Sequence, residues 1–130
     1  MSDLQLIEQL YEAFGARDDD TFRKLCTPDI EWVQSPGFPG GKTYAGADAV
    51  IGGVFERNAS LWNDFHFRVG SMHAADGHVF VLGHYTGTGR DTGKPFSAVV
   101  AHVYDIADGL VARFRMYADT HTIRSSLEPA

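Results

Sequence analysis

Cysteine is almost absent from this sequence of 130 residues, and Cys26 is its only example. One cysteine cannot form an internal disulfide, and the sequence has no Cys-x-x-Cys or Cys/His spacing typical of zinc sites. No apolar run approaches the roughly 20 residues that span a bilayer, and the N-terminus lacks the basic and apolar segments of a signal peptide. These absences predict a cytoplasmic protein with no membrane partner, no metal and no cofactor.

Positive charge is also scarce. Eleven lysine and arginine residues face 17 acidic ones, for a formal net charge of −6. A nucleic-acid partner is therefore not expected, because binding to a phosphate backbone needs concentrated basic charge. The length and the 44% hydrophobic content are those of one ordinary globular domain, here residues 1–130.

Apolar residues at three- and four-residue steps predict two consecutive helices near the N-terminus. Ser2 or Asp3 can cap the first, which ends near Gly15. One of the aspartates at 18–20 can cap the second, which must stop near Thr27 because a proline follows it.

A third helix is predicted over residues 47–61, after a loop over 35–46 that is rich in proline and glycine. Gly52 and Gly53 in the middle of this helix should cost about 1–2 kcal/mol against alanine. A close packing contact could compensate, but the sequence does not identify one.

Alternating apolar residues predict strands in the rest of the chain. The predicted strands are residues 30–34, 65–72, 78–88, 96–106 and 110–118. Asp108-Gly109 predicts a tight turn between the last two strands, and residues 120–127 form a short tail helix or turn. The order predicts an α+β fold in which a curved antiparallel sheet packs against three helices.

Several stretches, taken together and in order, resemble the nuclear-transport-factor-like cone fold. They are LYEAFGARDDDTF, DIEWVQSPG, TYAGADAV, GTGRDTGKPF and AHVYDIADGLVARFRMYADT. Within that fold the sequence is most similar to the SnoaL-like polyketide cyclases and ketosteroid-isomerase-related proteins. The fold hosts isomerases, cyclases, hydrolases and binding modules, so the resemblance alone does not specify a reaction.

The resemblance implies that the helices and the concave sheet face enclose one apolar pocket for a carbonyl-containing or polyketide-like molecule. The residues expected to contact a ligand there are Trp32, Gln34, Tyr44, Tyr104, Phe114 and Met116. Tyr44 would cover the mouth of the pocket, or would lie on the surface instead. Strand parity independently places His102 and Tyr104 on one face of their strand, and Arg115 and Tyr117 on the face opposite Met116.

The sequence departs from its better-characterised relatives at the implied catalytic positions. Gln34 lies where a ketosteroid isomerase has its carboxylate base, and a glutamine cannot accept the proton. His102 lies where that enzyme has a neutral carboxylic acid, and Leu10 lies near the position where that enzyme has its phenol donor. Met116 replaces the acid of the cyclases. Ketosteroid isomerisation by the familiar mechanism is therefore not expected.

His102 and Asp119 are the candidate catalytic residues. His102 could act as acid or base, because an unperturbed imidazole titrates near pH 6.5; the alternative is a core histidine with satisfied hydrogen bonds. Asp119 could pair with His102 or Arg115, where it would orient the imidazole or act as an acid or base itself, or it could cap the tail helix. Arg115, on the face away from Met116, is expected to form an ion pair or to lie in a dimer interface and not to belong to the catalytic site.

The sequence is compatible with two functions from different classes. One is a cofactor-independent isomerase- or cyclase-like enzyme, with Gln34 donating a hydrogen bond to a developing oxyanion. The other is a ligand-binding or dimerisation module without chemistry. In both cases a homodimer through the outer sheet face is expected from the resemblance.

Overall fold

The computed structural model describes residues 1–129, in which helices pack against one curved, six-stranded sheet. The helices of the N-terminal half are α1 (Asp3–Gly15), α2 (Asp19–Leu25) and α3, which consists of Ala47–Val50, Ile51–Phe55 and Glu56–Leu61. The strands are β1 (Cys26–Val33), β2 (Thr43–Ala45), β3 (Trp62–Ala75), β4 (His78–Gly89), β5 (Pro95–Ala107) and β6 (Leu110–Ala118), and the tail helix is α4 (Thr120–Ser125). The predicted α+β class is confirmed.

The predicted caps set the starts of α1 and α2. The Ser2 side chain accepts the Gln5 N–H, and the Gln5 side chain accepts the Ser2 N–H, which completes a capping box. Asp18 caps α2. This helix ends before its predicted limit at Thr27, because Cys26 is already extended and begins β1. Among residues 1–129 no helix is long and apolar enough to cross a membrane.

Helix α3 widens to a π-helical stretch at Ile51–Phe55. Gly53 lies in this stretch against the ring of Tyr44, and a Cβ at position 53 would overlap that ring. At Gly52 the nearest neighbour of a built Cβ is 4.0 Å away. Close packing by Tyr44 therefore explains one of the two helical glycines and not the other.

We expect Gly52→Ala and Gly53→Ala to change stability in opposite directions. Alanine at position 52 meets no obstruction and should raise the free energy of unfolding by about 0.5–1 kcal/mol. Alanine at position 53 must displace Tyr44 and should lower it by about 1–3 kcal/mol. Urea denaturation of the two variants measures the difference, and equal effects would contradict the role given to Tyr44.

The sheet has the strand order β2-β1-β6-β5-β4-β3. Antiparallel ladders join β3 to β4, β4 to β5 and β5 to β6, as predicted. The exception is β1, which runs parallel to β6 and sets Trp32 opposite Phe114. The alternating pattern did not reveal this because it specifies faces and not strand directions. Strand β2 forms within the stretch predicted as loop and pairs with β1.

The sheet face away from the helices carries exposed apolar side chains. The most exposed of them on the three central strands are Phe80, Leu82, Val99 and Tyr117. Arg115 lies on the same face, as parity predicted, and its Nη2 donates to Asp105 Oδ1 over 2.8 Å. The ion pair predicted as one role for Arg115 is thus present.

Candidate functional site

A small cavity of about 40 Å³ lies between the helices and the inner face of the sheet. Much of its wall is phenylalanine, contributed by Phe14, Phe22, Phe55, Phe65, Phe67 and Phe114. The polar residues in the wall are Tyr11, Gln34, Asn58, Tyr85, His102 and Tyr104. The cavity can hold a few waters at most, whereas pockets for drug-sized ligands measure about 300–1,000 Å³. A ligand must therefore widen it.

His102 lies on β5 and points into this cavity, as its strand parity predicted. It is 4% exposed. Its Nδ1 lies 2.8 Å from the Tyr11 hydroxyl, and its Nε2 lies 2.6 Å from the Tyr85 hydroxyl. Tyr104 donates to the Tyr11 hydroxyl over 3.0 Å. These four side chains form one continuous hydrogen-bonded chain, which we call the His–Tyr network.

The His–Tyr network has one hydrogen more than it uses. Three phenols and a neutral imidazole carry four donor hydrogens, and three hydrogen bonds join them. Tyr104 donates to Tyr11, and a chain that keeps this direction has the Tyr11 O–H donating to Nδ1 of His102 and Nε2–H donating to Tyr85. This direction is favoured because hydrogen bonds in a chain polarise one another. The unused hydrogen is then the Tyr85 O–H, at the cavity wall.

Burial keeps the whole network uncharged. It lowers the pKa of His102 to about 3, and it raises the pKa values of Tyr11, Tyr85 and Tyr104 above the usual phenol value. An imidazole that is so hard to protonate is a weak general base. The network can instead donate a hydrogen bond to an oxygen atom that gains negative charge.

Gln34 and Trp32 form a second polar feature of the wall. The indole Nε1–H of Trp32 donates to Gln34 Oε1 over 3.1 Å, and the Trp32 ring stacks on Phe114 with centroids 3.8 Å apart. The indole engages the amide oxygen of Gln34, and the amide N–H groups can donate to a ligand. This orientation suits the predicted donor role of Gln34.

Two of the residues predicted to bind a ligand lie outside the cavity wall. Tyr44 does not cover a pocket mouth: it is buried, and its hydroxyl donates to the Gly40 carbonyl. Met116 is buried beside the cavity, and its carbonyl accepts the Ser35 hydroxyl. Both were placed at the pocket by position along the chain, which does not reveal how each side chain packs.

The structure does not place Asp119 at His102. Its exposed carboxylate accepts the backbone N–H and the hydroxyl of Thr122, at 3.2 and 2.7 Å. These hydrogen bonds hold the pKa of the carboxyl below its usual value. Asp119 is therefore the N-cap of α4, the alternative that the sequence left open, and both nitrogens of His102 are occupied by tyrosines.

Tyr11, Tyr85 and Asn58 were not singled out from the sequence. The phenol expected near Leu10 is supplied by the next residue, Tyr11, which turns far enough around α1 to reach His102. Tyr85 shares its face of β4 with the buried Val81, so strand parity could have found it. No sequence signal pointed to Asn58.

An outer cleft of about 620 Å³ adjoins the cavity and shares four wall residues with it, Phe14, Phe55, Asn58 and Phe65. We call these four residues the neck. The rings of Phe14 and Phe55 meet edge to face, with centroids 4.7 Å apart. The outer cleft has charged residues in its wall, including Arg17, Asp64 and Arg90. A ligand could pass from this polar cleft to the His–Tyr network if the two rings parted.

No aspartate or glutamate within residues 1–129 lines the inner cavity. In the same range, no group of three histidine, cysteine or acidic side chains is arranged to hold a metal ion. The chemistry that this wall can supply comes from neutral hydrogen-bond donors and acceptors.

The chain matches a family model described as a SnoaL-like domain over residues 7–114. A solved NTF2-like protein from Burkholderia thailandensis is 33% identical, with a TM-score of 0.91 and 96% of each chain covered. IdmH, a putative polyketide cyclase from Streptomyces antibioticus, is 21% identical, with a TM-score of 0.81 over 98% of this chain and 99% of its own. TerC, co-crystallised with polyporic acid, is 19% identical, with a TM-score of 0.84 over 95% and 96%.

No match to a curated protein sequence was found. The family match covers most of the chain, and it confirms the resemblance noted from the sequence motifs. The chain belongs to the SnoaL-like domain family and has the nuclear-transport-factor-like fold.

Proposed function

We propose that this protein binds an apolar, carbonyl-containing small molecule of polyketide-like type and favours its enol or enolate form. The observation that carries the proposal is the His–Tyr network in the wall of a cavity lined largely by aromatic residues. With its hydrogen bonds directed from Tyr104 to Tyr85, the network leaves the Tyr85 O–H unused. A ligand carbonyl at that position would complete the chain of hydrogen bonds. The Gln34 amide can supply a second donor.

The reaction supported best is enolisation assisted by hydrogen bonding. The C–H bond next to the ligand carbonyl breaks, its electron pair forms the C=C bond, and negative charge moves to the oxygen held by Tyr85. Water accepts the proton, since no carboxylate lines the cavity. The enolate carbon could then be reprotonated, as in an isomerase, or attack a second carbonyl of the same molecule, as in a cyclase. His102 takes part as a neutral hydrogen-bonding group instead of a charged acid.

The comparisons support the ligand class. IdmH is described as a putative polyketide cyclase, and TerC was crystallised with polyporic acid. Both share the fold with this chain at 21% and 19% identity. The substrate itself and a cytoplasmic location stay predictions.

Deuterium exchange into an aromatic ketone tests the proposal. The probe is 1-tetralone, whose C–H groups next to the carbonyl exchange slowly with D₂O and are followed by NMR, while binding is measured by titration calorimetry. We expect binding together with exchange that is faster than in buffer and saturates with the ketone. Absence of binding would overturn the proposal.

A non-catalytic binding module is the second candidate, and one observation favours it. The cavity has no carboxylate to act as a base, and burial makes His102 a poor one. In that case 1-tetralone should bind with no acceleration of exchange. Binding without faster exchange would therefore support the proposed ligand class and contradict the proposed reaction.

We also propose a homodimer through the outer face of β4, β5 and β6. Leu82, Val99 and Tyr117 are 53%, 60% and 55% exposed there, and they border an open apolar groove of about 510 Å³. Contiguous exposed apolar surface of this kind commonly marks an interaction site. The Arg115–Asp105 ion pair lies on the same face.

Leu82→Glu should convert the dimer to a monomer. The substitution sets a carboxylate in the centre of the apolar patch, where pairing would bury it without a partner. Sedimentation equilibrium of the wild type and the variant measures the change, with the exposed substitution Arg68→Glu on β3 as the control. A wild-type protein that remains monomeric at all concentrations would contradict the dimer.

A further inference from the structure

Asn58 is a buried polar residue for which the fold gives no structural reason. It lies on α3 and is 6% exposed. Its Oδ1 accepts no hydrogen bond from any residue of 1–129. Leaving such an acceptor without a partner costs on the order of a few kcal/mol, so each case calls for an explanation.

The position of Asn58 suggests what that partner is. Asn58 is the only polar member of the neck, whose other members are Phe14, Phe55 and Phe65. A molecule that reaches the His–Tyr network from the outer cleft must pass this amide. The π-helical stretch on α3 ends at Phe55, three residues before Asn58, and such stretches often occur at functional sites.

We infer that Asn58 recognises a hydrogen-bond donor on the ligand, a hydroxyl or an N–H group. The ligand would then be a hydroxylated carbonyl compound whose carbonyl faces Tyr85 while its donor group lies at the neck. This inference rests on the proposed function, because it uses the same cavity, and it narrows the ligand class. Two acceptors facing each other repel, so an ether oxygen at the same place on the ligand would be disfavoured.

The matched probes are 6-hydroxy-1-tetralone and 6-methoxy-1-tetralone, with unsubstituted 1-tetralone as the reference. All three carry the same carbonyl, but only the first has a donor at the far end. We expect the wild type to bind the hydroxy compound about tenfold more tightly than the methoxy compound. The hydroxyl donates to the buried Asn58 Oδ1, whereas the methoxy group leaves this acceptor without a partner. Asn58→Leu should remove this preference, because leucine cannot accept a hydrogen bond from the hydroxy compound.

The control is Asn63→Leu, which makes the same change at an asparagine that lines only the outer cleft. It should keep the preference. The wild-type measurement does not depend on how any variant folds. Equal binding of the hydroxy and methoxy compounds by the wild type, as expected if only water bonds to Asn58, would overturn the inference and leave the proposed function intact. Failure of all three ketones to bind would overturn both.

Discussion

At roughly pH 4 the protein is expected to be about 3 kcal/mol less stable than at neutral pH through His102 alone. Burial lowers the pKa of this imidazole to about 3, whereas an unfolded histidine titrates near about 6.5. Between these values the unfolded chain binds a proton that the folded chain does not bind. The contribution of neutral His102 to the free energy of unfolding is therefore fully present above about pH 6.5, and it is lost as the pH falls towards about 3. The whole free energy of unfolding of a domain is about 5–15 kcal/mol, so this loss is a large fraction of it.

Denaturant titrations at a series of pH values measure this loss in the wild type and in His102→Gln. Glutamine does not titrate, so the variant should lose less stability in acid, whatever its stability at neutral pH. His73→Gln is the matched control on an exposed part of β3 and should follow the wild type. Asp18 and Asp119 have lowered pKa values, and they add the same loss of stability in acid to all three proteins. Parallel acid curves for the wild type and His102→Gln would contradict a buried neutral imidazole.

Strand periodicity made the sheet side of the site predictable. Successive residues of a strand alternate between faces, so a small error in a strand's boundary leaves each side chain on the same face. The sequence thus assigned His102, Tyr104 and Phe114 to the interior and Arg115 to the outer face, and the structure agrees. The same regularity holds along β4, where it would have identified Tyr85.

The helical side of the site was less predictable. Adjacent helix residues differ by about 100° around the axis, so Leu10 and Tyr11 both reach the cavity wall and only packing decides which one contacts His102. The Tyr11–His102 contact joins residues 91 positions apart. Such a contact depends on how α1 lies across the sheet, which periodicity does not define. Asn58 was missed for a related reason, since a polar residue on an amphipathic helix is normally solvent-exposed.

The acid sensitivity and the proposed chemistry have one physical origin. An apolar wall keeps His102 neutral, and only a neutral imidazole both donates and accepts a hydrogen bond and so connects Tyr11 to Tyr85. Protonation would make both ring nitrogens donors, and Nδ1 could no longer accept from Tyr11. The burial that lowers acid stability is thus what gives the unused donor its place at Tyr85.

Replacing Tyr85 with phenylalanine is expected to slow the exchange of 1-tetralone by about 100-fold. Removal of one preorganised oxyanion donor typically costs about 10²–10³ in rate, and Tyr85 holds the unused hydrogen of the network. Tyr104→Phe is the matched variant, because it removes a buried phenol from the same network at the opposite end. The Tyr104 hydroxyl donates to Tyr11 and not to the ligand. Tyr104→Phe should therefore slow exchange by less than about tenfold, because its only effect is weaker polarisation of the hydrogen-bonded chain.

The order of these two effects reports the direction of the hydrogen bonds. If Tyr104→Phe were the more damaging, the chain would run from Tyr85 towards Tyr104, with the imidazole hydrogen on Nδ1 of His102. That outcome would contradict the assignment of Tyr85 as the donor. The carbonyl stretching frequency of bound 1-tetralone gives an independent measurement, because a hydrogen bond lowers it. It should rise towards its value in an apolar solvent in Tyr85→Phe and change little in Tyr104→Phe.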